Sequence, residues 1–343
     1  MEIRKAKDSD IQHIMDFIGI HWRKGHILSE NKPFMEWQHK SNEGFNFIVA
    51  VSNGLIVAVL GYINNQRYDQ NCGLKTIWLA LWKVKKDLKV SGLGLKLIKI
   101  LEAEEQPDIL ACNGTLSLQW PIYRLLRFKV FSLKCFYLVN SLVPKKIMGS
   151  SELEPGNIVN SNSSELSSVM SRVNSNELKD IEWDTYTELN EIVKTPYYFD
   201  KRYLRHPVYD YRVYKITGAT HLDSLIATRI VKYDDSKVLR IIDFSGDFNS
   251  LVGLGAFIRE ILENEGIEYC DFWQHGIDDK ILEDSGFTLL RDDSGVIIPN
   301  FFEPFVRETG EIHAVFKSQL SGNYIVCKGD GDQDRPSRLQ ENV

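Results

Sequence analysis

Lys89-Val90-Ser91-Gly92-Leu93-Gly94 joins two closely spaced glycines to a basic neighbourhood, residue types that suit an anion. Glycine lets a ligand approach the backbone closely. The free N–H groups of a helix's first turn attract a phosphate. Lys85, Lys86, Lys89 and Lys96 add positive charge nearby. An ordinary strand-to-helix junction has the same look, so context must decide. The run is no Walker loop, because no GKS or GKT follows, and it lacks the third spaced glycine of a dinucleotide fingerprint.

Other groups could move protons. His21 and His26 bracket Trp22, Arg23 and Lys24 in one polar turn, and imidazoles titrate near neutrality. The same turn also suits a solvated loop around one buried tryptophan. Asp243 and Asp247 bracket Phe244-Ser245-Gly246 and could orient a polar substrate or act through water. The cysteines at 72, 112, 135, 270 and 327 form no CxxC pair and no zinc spacing, so no metal site is expected.

The elements around these residues follow from periodicity. Residues 77–84 are apolar and β-prone, while Leu93, Leu97, Ile100 and Leu101 recur at helical spacing. A strand therefore runs through a short basic loop into a helix. Before it lie a short strand at 2–5, a helix with Ile11, Ile14, Met15 and Ile18 on one face, a second short helix at 34–39, and a hairpin, 45–51 and 55–62, about Ser52-Asn53-Gly54. After it come a strand at 109–112, a helix at 116–126 and a strand at 128–139. This order predicts a mixed sheet in an α/β layer fold.

With 343 residues and 43% hydrophobic content, the chain can hold two cored domains. A net charge of -6 argues against a general nucleic-acid binder, so the local lysines fit a small anion better than a polymer. Five cysteines and a charged N-terminus without a signal peptide suggest a reducing, cytoplasmic setting. No run of eighteen apolar residues is present, so no membrane span is expected.

Residues 1 to 140 resemble the GCN5-related N-acetyltransferase superfamily. The family carries Arg/Gln-x-x-Gly-x-Gly/Ala after its fourth strand, and Lys89 to Gly94 stands in that place with lysine in the first position. It also has an Asn on or after the fifth strand, then a helix with a tyrosine ending near Gly-Phe. Here these are Asn113, Tyr123 and Leu126-Arg127-Phe128, with Arg in place of Gly. The resemblance implies an acyl-coenzyme A site formed by Leu81, Lys83, Val84, Lys89, Val90, Ser91, Gly92, Leu93, Gly94 and Asn113. It gives Tyr123 the role of acid toward the departing sulfur.

Residues 149–176 are rich in serine and poor in large apolar groups, which suggests a loosely packed connection, with Leu166, Val169, Met170 and Val173 able to mark a short helix. A helix is expected at 181–193. Tyrosines and arginines interleave over 197–212 and suit either stacking on a ligand or an interdomain surface. Strands at 212–216, 224–233 and 238–244 then lead to Gly253-Leu254-Gly255, a helix to 264, a strand at 268–273 and a helix ending at Gly286-Phe287. The order of the first half recurs without its basic cluster or its helix tyrosine. The second half thus resembles a diverged copy that shapes the acceptor pocket. The expected domains are 1–145, catalytic, and 181–343, diverged, joined by 146–180. Residues 328–336 form an acid-rich tail of no EF-hand spacing, which either meets a polar acceptor or is solvated.

The implied reaction is direct acyl transfer from acetyl-coenzyme A, or another acyl-coenzyme A, to an amine. No serine or cysteine sits in a nucleophile elbow or triad that would favour an acyl-enzyme. His21, His26 and Asp247, together with Tyr123, are the candidate catalytic groups. Tandem chains of this look occur in bacterial surface-polysaccharide pathways, so the resemblance points to a nucleotide-linked amino sugar as acceptor, on a monomer or homodimer. A peptide, a polyamine, an aminoacyl-tRNA, or a noncatalytic metabolite-binding role are the alternatives.

Overall fold

The computed structural model describes residues 1–150, 169–181, 183, 192–218, 223–320, 322 and 324–337. Two mixed sheets of eight strands each carry the architecture. The first runs in the order Glu2–Ala6, Gly44–Ser52, Leu55–Asn64, Thr76–Val84, Ile109–Thr115, His313–Ser318 and Lys129–Ser132, with Lys40–Ser41 beside Gly44–Ser52. The second runs Val169–Val173, Tyr211–Thr217, Asp223–Tyr233, Ser236–Ser245, Tyr269–His275, Lys134–Val139 and Thr288–Leu289, with Val326–Cys327 on Tyr269–His275. Helices flank both sheets in a mixed α+β arrangement.

The expected boundary near residue 145 does not separate the two sheets. The strand expected over 128–139 is two strands that break at Leu133 and enter different sheets. Lys134–Val139 crosses to the second sheet, and His313–Ser318 returns to fill the slot between Ile109–Thr115 and Lys129–Ser132 in the first. Ala314, Val315 and Phe316 are buried there, so each sheet's core includes a strand from the other half of the chain. One apolar core accordingly draws on both halves, from Trp78 and Ile109 to Tyr203, Tyr211 and Trp273. The tyrosine-rich strip belongs to this interdomain core: Tyr198, Tyr203 and Tyr211 are buried, and so is Arg202.

The helix expected near 166–173 is instead, over its described part, the strand Val169–Val173, paired antiparallel with Tyr211–Thr217. Its β-branched ends suit a pleated edge. The helix expected over 181–193 falls mostly outside the described residues. Among those described, no helix is long and apolar enough to cross a membrane.

Both sheets part in the same way. Thr76–Val84 and Ile109–Thr115 run parallel, and their pairing ends after Thr76 with Ile109, Ile77 with Leu110 and Trp78 with Ala111. Tyr62 pairs with Leu79 and Gly61 with Leu81, so Ala80 is skipped as a bulge. A bulge bends its strand and ends local pairing. In the second sheet Ser236–Ser245 and Tyr269–His275 pair from Val238 to Ile241, and Ile242 is the skipped residue. Two splits result. Leu93–Glu105 packs Leu93, Leu97, Ile98 and Leu101 onto the first sheet, and Leu254–Glu265 packs Leu254, Ile258 and Leu262 onto the second.

The exchange predicts that residues 1–145 will not fold alone. Losing His313–Ser318 removes the burial of Val315 and Phe316, worth about 1.5–3 kcal/mol each, and exposes the flank of Ile109–Thr115. A fragment of 1–145 should show no cooperative thermal transition by circular dichroism, and adding a peptide of residues 308–320 should restore one in part.

Candidate active site

The two glycines of the first split serve different ends. Gly92 caps Leu93–Glu105 in the left-handed region, φ 71°, and a Cβ there would meet nothing within 4 Å. That position is open to a ligand. A Cβ on Gly94 would lie 2.7 Å from Cζ2 of Trp82, so this glycine seats the helix against the strand. Lys86, Lys89, Ser91 and Lys96 are exposed, while Lys83, Val84, Lys85 and Val90 are half-buried. These lysines form no ion pair among the described residues, so their charge is available to an anion. Leu81 and Leu93 are buried in the cores on either side.

Tyr123 lies on the helix Trp120–Leu125, whose Pro121 fits the first turn. Its ring meets Trp82 edge-on at 6.3 Å and Phe128 at 5.3 Å. Burial, followed by the neighbouring Cys112, pushes its ionisation well above the usual phenol range. Tyr123 therefore stays a proton donor at neutral pH. Burial, with Asp332 adding to it, pushes the Cys112 thiol up to about 12, so this cysteine is not a thiolate nucleophile.

Asn113 faces the other side of the sheet. Its Nδ2 donates to the carbonyls of Cys327 at 3.0 Å and Asp330 at 3.2 Å. It thus anchors the C-terminal segment. His26 is buried at the start of Ile27–Glu30, with Nε2 2.7 Å from Nη1 of Arg335. Burial first, then Arg335 and Arg23, lowers it to about 3, so it is neutral with its lone pair engaged. His21 ends the helix Ile11–His21 and packs on Phe17 at 4.8 Å. Asp247 caps Phe248–Leu251 in the second half, accepting from the Asn249 N–H at 3.0 Å. The structure brings Gly92, Gly94 and Tyr123 to the first split and links His26 to it through Arg335. It places His21 on the outer helix and Asp247 on the second sheet.

The acid-rich tail, open between two readings in the sequence, is buried. Val326–Cys327 pairs with Tyr269–His275, then the Lys328 N–H donates to Trp273 at 3.1 Å and the Gly329 N–H to Ile242 at 2.7 Å. The chain's own backbone thereby bridges the second split and uses the carbonyl of its bulge. Only glycine fits at 329, where a Cβ would lie 2.5 Å from the Tyr203 hydroxyl. Lys194 reaches Asp243 at 2.5 Å and Asp330 at 2.9 Å, with all three side chains 0% exposed. Arg202 donates to the Gly331 carbonyl at 2.6 Å, Arg229 forks onto Asp334 at 2.7 and 3.2 Å, and Arg335 meets Asp332 at 2.7 Å. The described residues also line a cavity of about 370 Å³ between the halves, at Asp69, Thr195, Tyr197 and Asp200. None of the sequence-predicted site residues reaches it.

No protein-family model and no curated protein matches this sequence. Solved structures do. A GCN5-related N-acetyltransferase from Anabaena variabilis ATCC 29413 superposes with a TM-score of 0.54 at 12% identity, over 92% of this chain and 72% of that one. A protein from Enterococcus faecalis V583 described as a probable N-acyltransferase gives 0.53 at 9%, over 91% and 71%. The fold is thus that of the GCN5-related acetyltransferases, with two similar sheet domains. Identities this low speak to fold alone.

Two buried histidines, His26 and His39, and the half-buried His206 set the acid response. Burial lowers His26, His39 and His206 each to about 3, so the folded state binds fewer protons than the unfolded chain below the ordinary histidine value. Their contribution to stability is complete above about pH 6.5 and is lost as pH falls. Asp330, which burial pushes up to about 6 against the pull of Lys194, opposes this over the range from 6 to 4. Unfolding at pH 5 should take up about two protons, a slope of about 2.7 kcal/mol per pH unit. Urea midpoints measured from pH 7 to pH 4.5 should fall accordingly.

Proposed function

We propose that the chain is an acyl-coenzyme A-dependent N-acyltransferase that moves an acetyl or similar group directly to an amine. The carrying observation is the first split, where parted strands lead to the Gly92 turn, the N-terminus of Leu93–Glu105 and unpaired lysines. Helix N-terminal N–H groups and lysines would hold the pyrophosphate. Leu81, Lys83, Val84 and residues 89–94 would flank the cofactor. The catalytic domain would then be residues 1–132 completed by His313–Ser318. The second domain would hold the tail and shape the acceptor site.

In the transfer, the amine nitrogen attacks the thioester carbonyl and the carbon–sulfur bond breaks. Tyr123, kept protonated by its burial, would give its proton to the leaving sulfur. We favour a nucleotide-linked amino sugar as the acceptor to be screened first, with spermidine, peptides and aminoacyl-tRNA as comparisons. The five cysteines are free, which fits the reducing cytoplasm where acyl-coenzyme A is at hand.

Two substitutions test this reading. Gly92→Val forces a β-branched residue into a left-handed turn and should abolish acetyl-coenzyme A binding seen by calorimetry while the circular dichroism spectrum stays native. Tyr123→Phe should lower kcat by roughly 10²–10⁴-fold and leave acetyl-coenzyme A affinity almost unchanged. Wild-type kcat in Tyr123→Phe would remove the tyrosine from the mechanism. Binding without turnover on any amine would instead favour a metabolite-binding module.

A further inference from the structure

The C-terminal segment does more than bridge the second split. Gly331 lies over Trp78, where a Cβ would be 3.4 Å from the Trp78 Cβ. Two residues on, the Gln333 side chain sits against Gly114, 1.9 Å from where a Cβ would stand. Trp78 is on the first strand of the split and belongs to its last parallel pair, with Ala111. Gly114 is on the second strand, beyond the point where pairing ends. Residue 332 therefore spans the gap just past the parting of the two strands. Asn113 holds the segment from below through Cys327 and Asp330, and Arg202 holds Gly331 from the second half.

Resting on the acyltransferase reading above, we infer that Asp332 is the proton acceptor for the amine substrate. Side chains alternate along Ile109–Thr115: Leu110 and Cys112 face the helix side with Tyr123, and Asn113 faces the C-terminal segment. Tyr123 and Asp332 thus stand on opposite faces of one split, with Cys112 beside the first and within the field of the second. That is the arrangement a direct transfer needs, with thiolate leaving toward one face and the ammonium arriving at the other. Asp332 is buried, and burial raises its carboxyl above the usual range against Arg335 and Arg202, which moves it toward a base of useful strength. The other sequence candidates are engaged elsewhere: His26 accepts from the Leu28 N–H and lies against Arg335, and Asp247 caps its own turn.

The protons balance. An ammonium nitrogen must lose two to become an amide. Asp332 takes the first and returns it to solvent. The second leaves for solvent as the amide forms, while the sulfur takes the Tyr123 proton and Tyr123 is reprotonated from solvent.

The groups that face Asp332 are Arg335 on its own segment, with His26 behind it, and Arg202 from the turn Asp200–Leu204, while Cys112 lies across the sheet within its field. The test is kcat from pH 5 to pH 10 for the full chain with acetyl-coenzyme A and three acceptors: a UDP-linked amino sugar, glucosamine and spermidine. Asp332→Asn should lose roughly 10²–10⁴-fold at pH 7 and recover tenfold per pH unit toward the amine's own pKa, because only free amine then reacts. Asp332→Glu should keep most activity, and acetyl-coenzyme A affinity should hold in both. Arg335→Gln removes a group that lowers Asp332 and should move the acid limb of kcat to higher pH, which decides the matter alone if Asp332→Asn does not fold. Wild-type kcat in Asp332→Asn, an equal and pH-independent loss in Asn and Glu variants, or an unmoved limb in Arg335→Gln would each overturn the assignment. If the unmodified chain neither binds acetyl-coenzyme A nor turns over, the acyltransferase reading fails. If it turns over and the variants match it, only Asp332 fails.

Discussion

Lys194 is the fixed point of this molecule. Its ammonium lies between the carboxylates of Asp243 and Asp330, and none of the three side chains reaches solvent. Removing one member of such a buried set strands the remaining charge, at a cost of about 3–5 kcal/mol. That is a large share of an ordinary domain's stability, about 5–15 kcal/mol. The three residues come from distant parts of the chain: the segment just before Pro196–Phe199, the parting strand of the second sheet, and the C-terminal segment. The Tyr203 hydroxyl adds a bond to Asp243 at 2.5 Å, so the core tyrosines are tied to the same point. The C-terminal segment cannot leave the second split without exposing or orphaning this ion set.

From that anchor the two sheets take different parts. Each skips one residue opposite its neighbour, at Ala80 and at Ile242, and each parts its central parallel strands. In the second sheet the backbone of Lys328 and Gly329 supplies the hydrogen bonds that an extended ligand would make. In the first, the same segment only crosses one face, at Trp78 and Gly114, while the Gly92 turn stays open. Lysines gather at the first turn, and none stands in the equivalent run 250–255. The exchange of Lys134–Val139 for His313–Ser318 then locks both sheets into one core. A segment held by the second domain is thereby set across the split of the first.

The local pattern of the chain was largely legible. The hydrophobic spacing in Leu93–Glu105 and Leu254–Glu265 marks both helices, and apolar runs mark the central strands, because these elements bury one regular face. The repeated order of glycine turns also revealed the internal duplication. The exchange was hidden, because Lys134–Val139 continues the same apolar pattern as Lys129–Ser132 and nothing local marks the crossing at Leu133. Val169–Val173 takes its strand form from its pairing with Tyr211–Thr217 rather than from its own weak pattern. At the site, Gly92 and Tyr123 carried recognisable signals. Asp332 and Arg335 did not, since an acidic tail reads as solvated until the cations that neutralise it are found 105 to 136 residues away, as with Arg229 and Asp334 or Lys194 and Asp330. The density of alternating acid and glycine in 328–334 was the one available hint.

A crystal structure of the full chain grown with acetyl-coenzyme A is the most direct test of this division between the sheets. One cofactor molecule should lie in the first split, with its pyrophosphate on the N–H groups of residues 92–94 and its thioester between Tyr123 and the segment 331–333. Residues 326–330 should remain hydrogen-bonded to Trp273 and Ile242. Cofactor in the second split with that segment displaced, or ordered cofactor at neither split under saturating concentration, would contradict it.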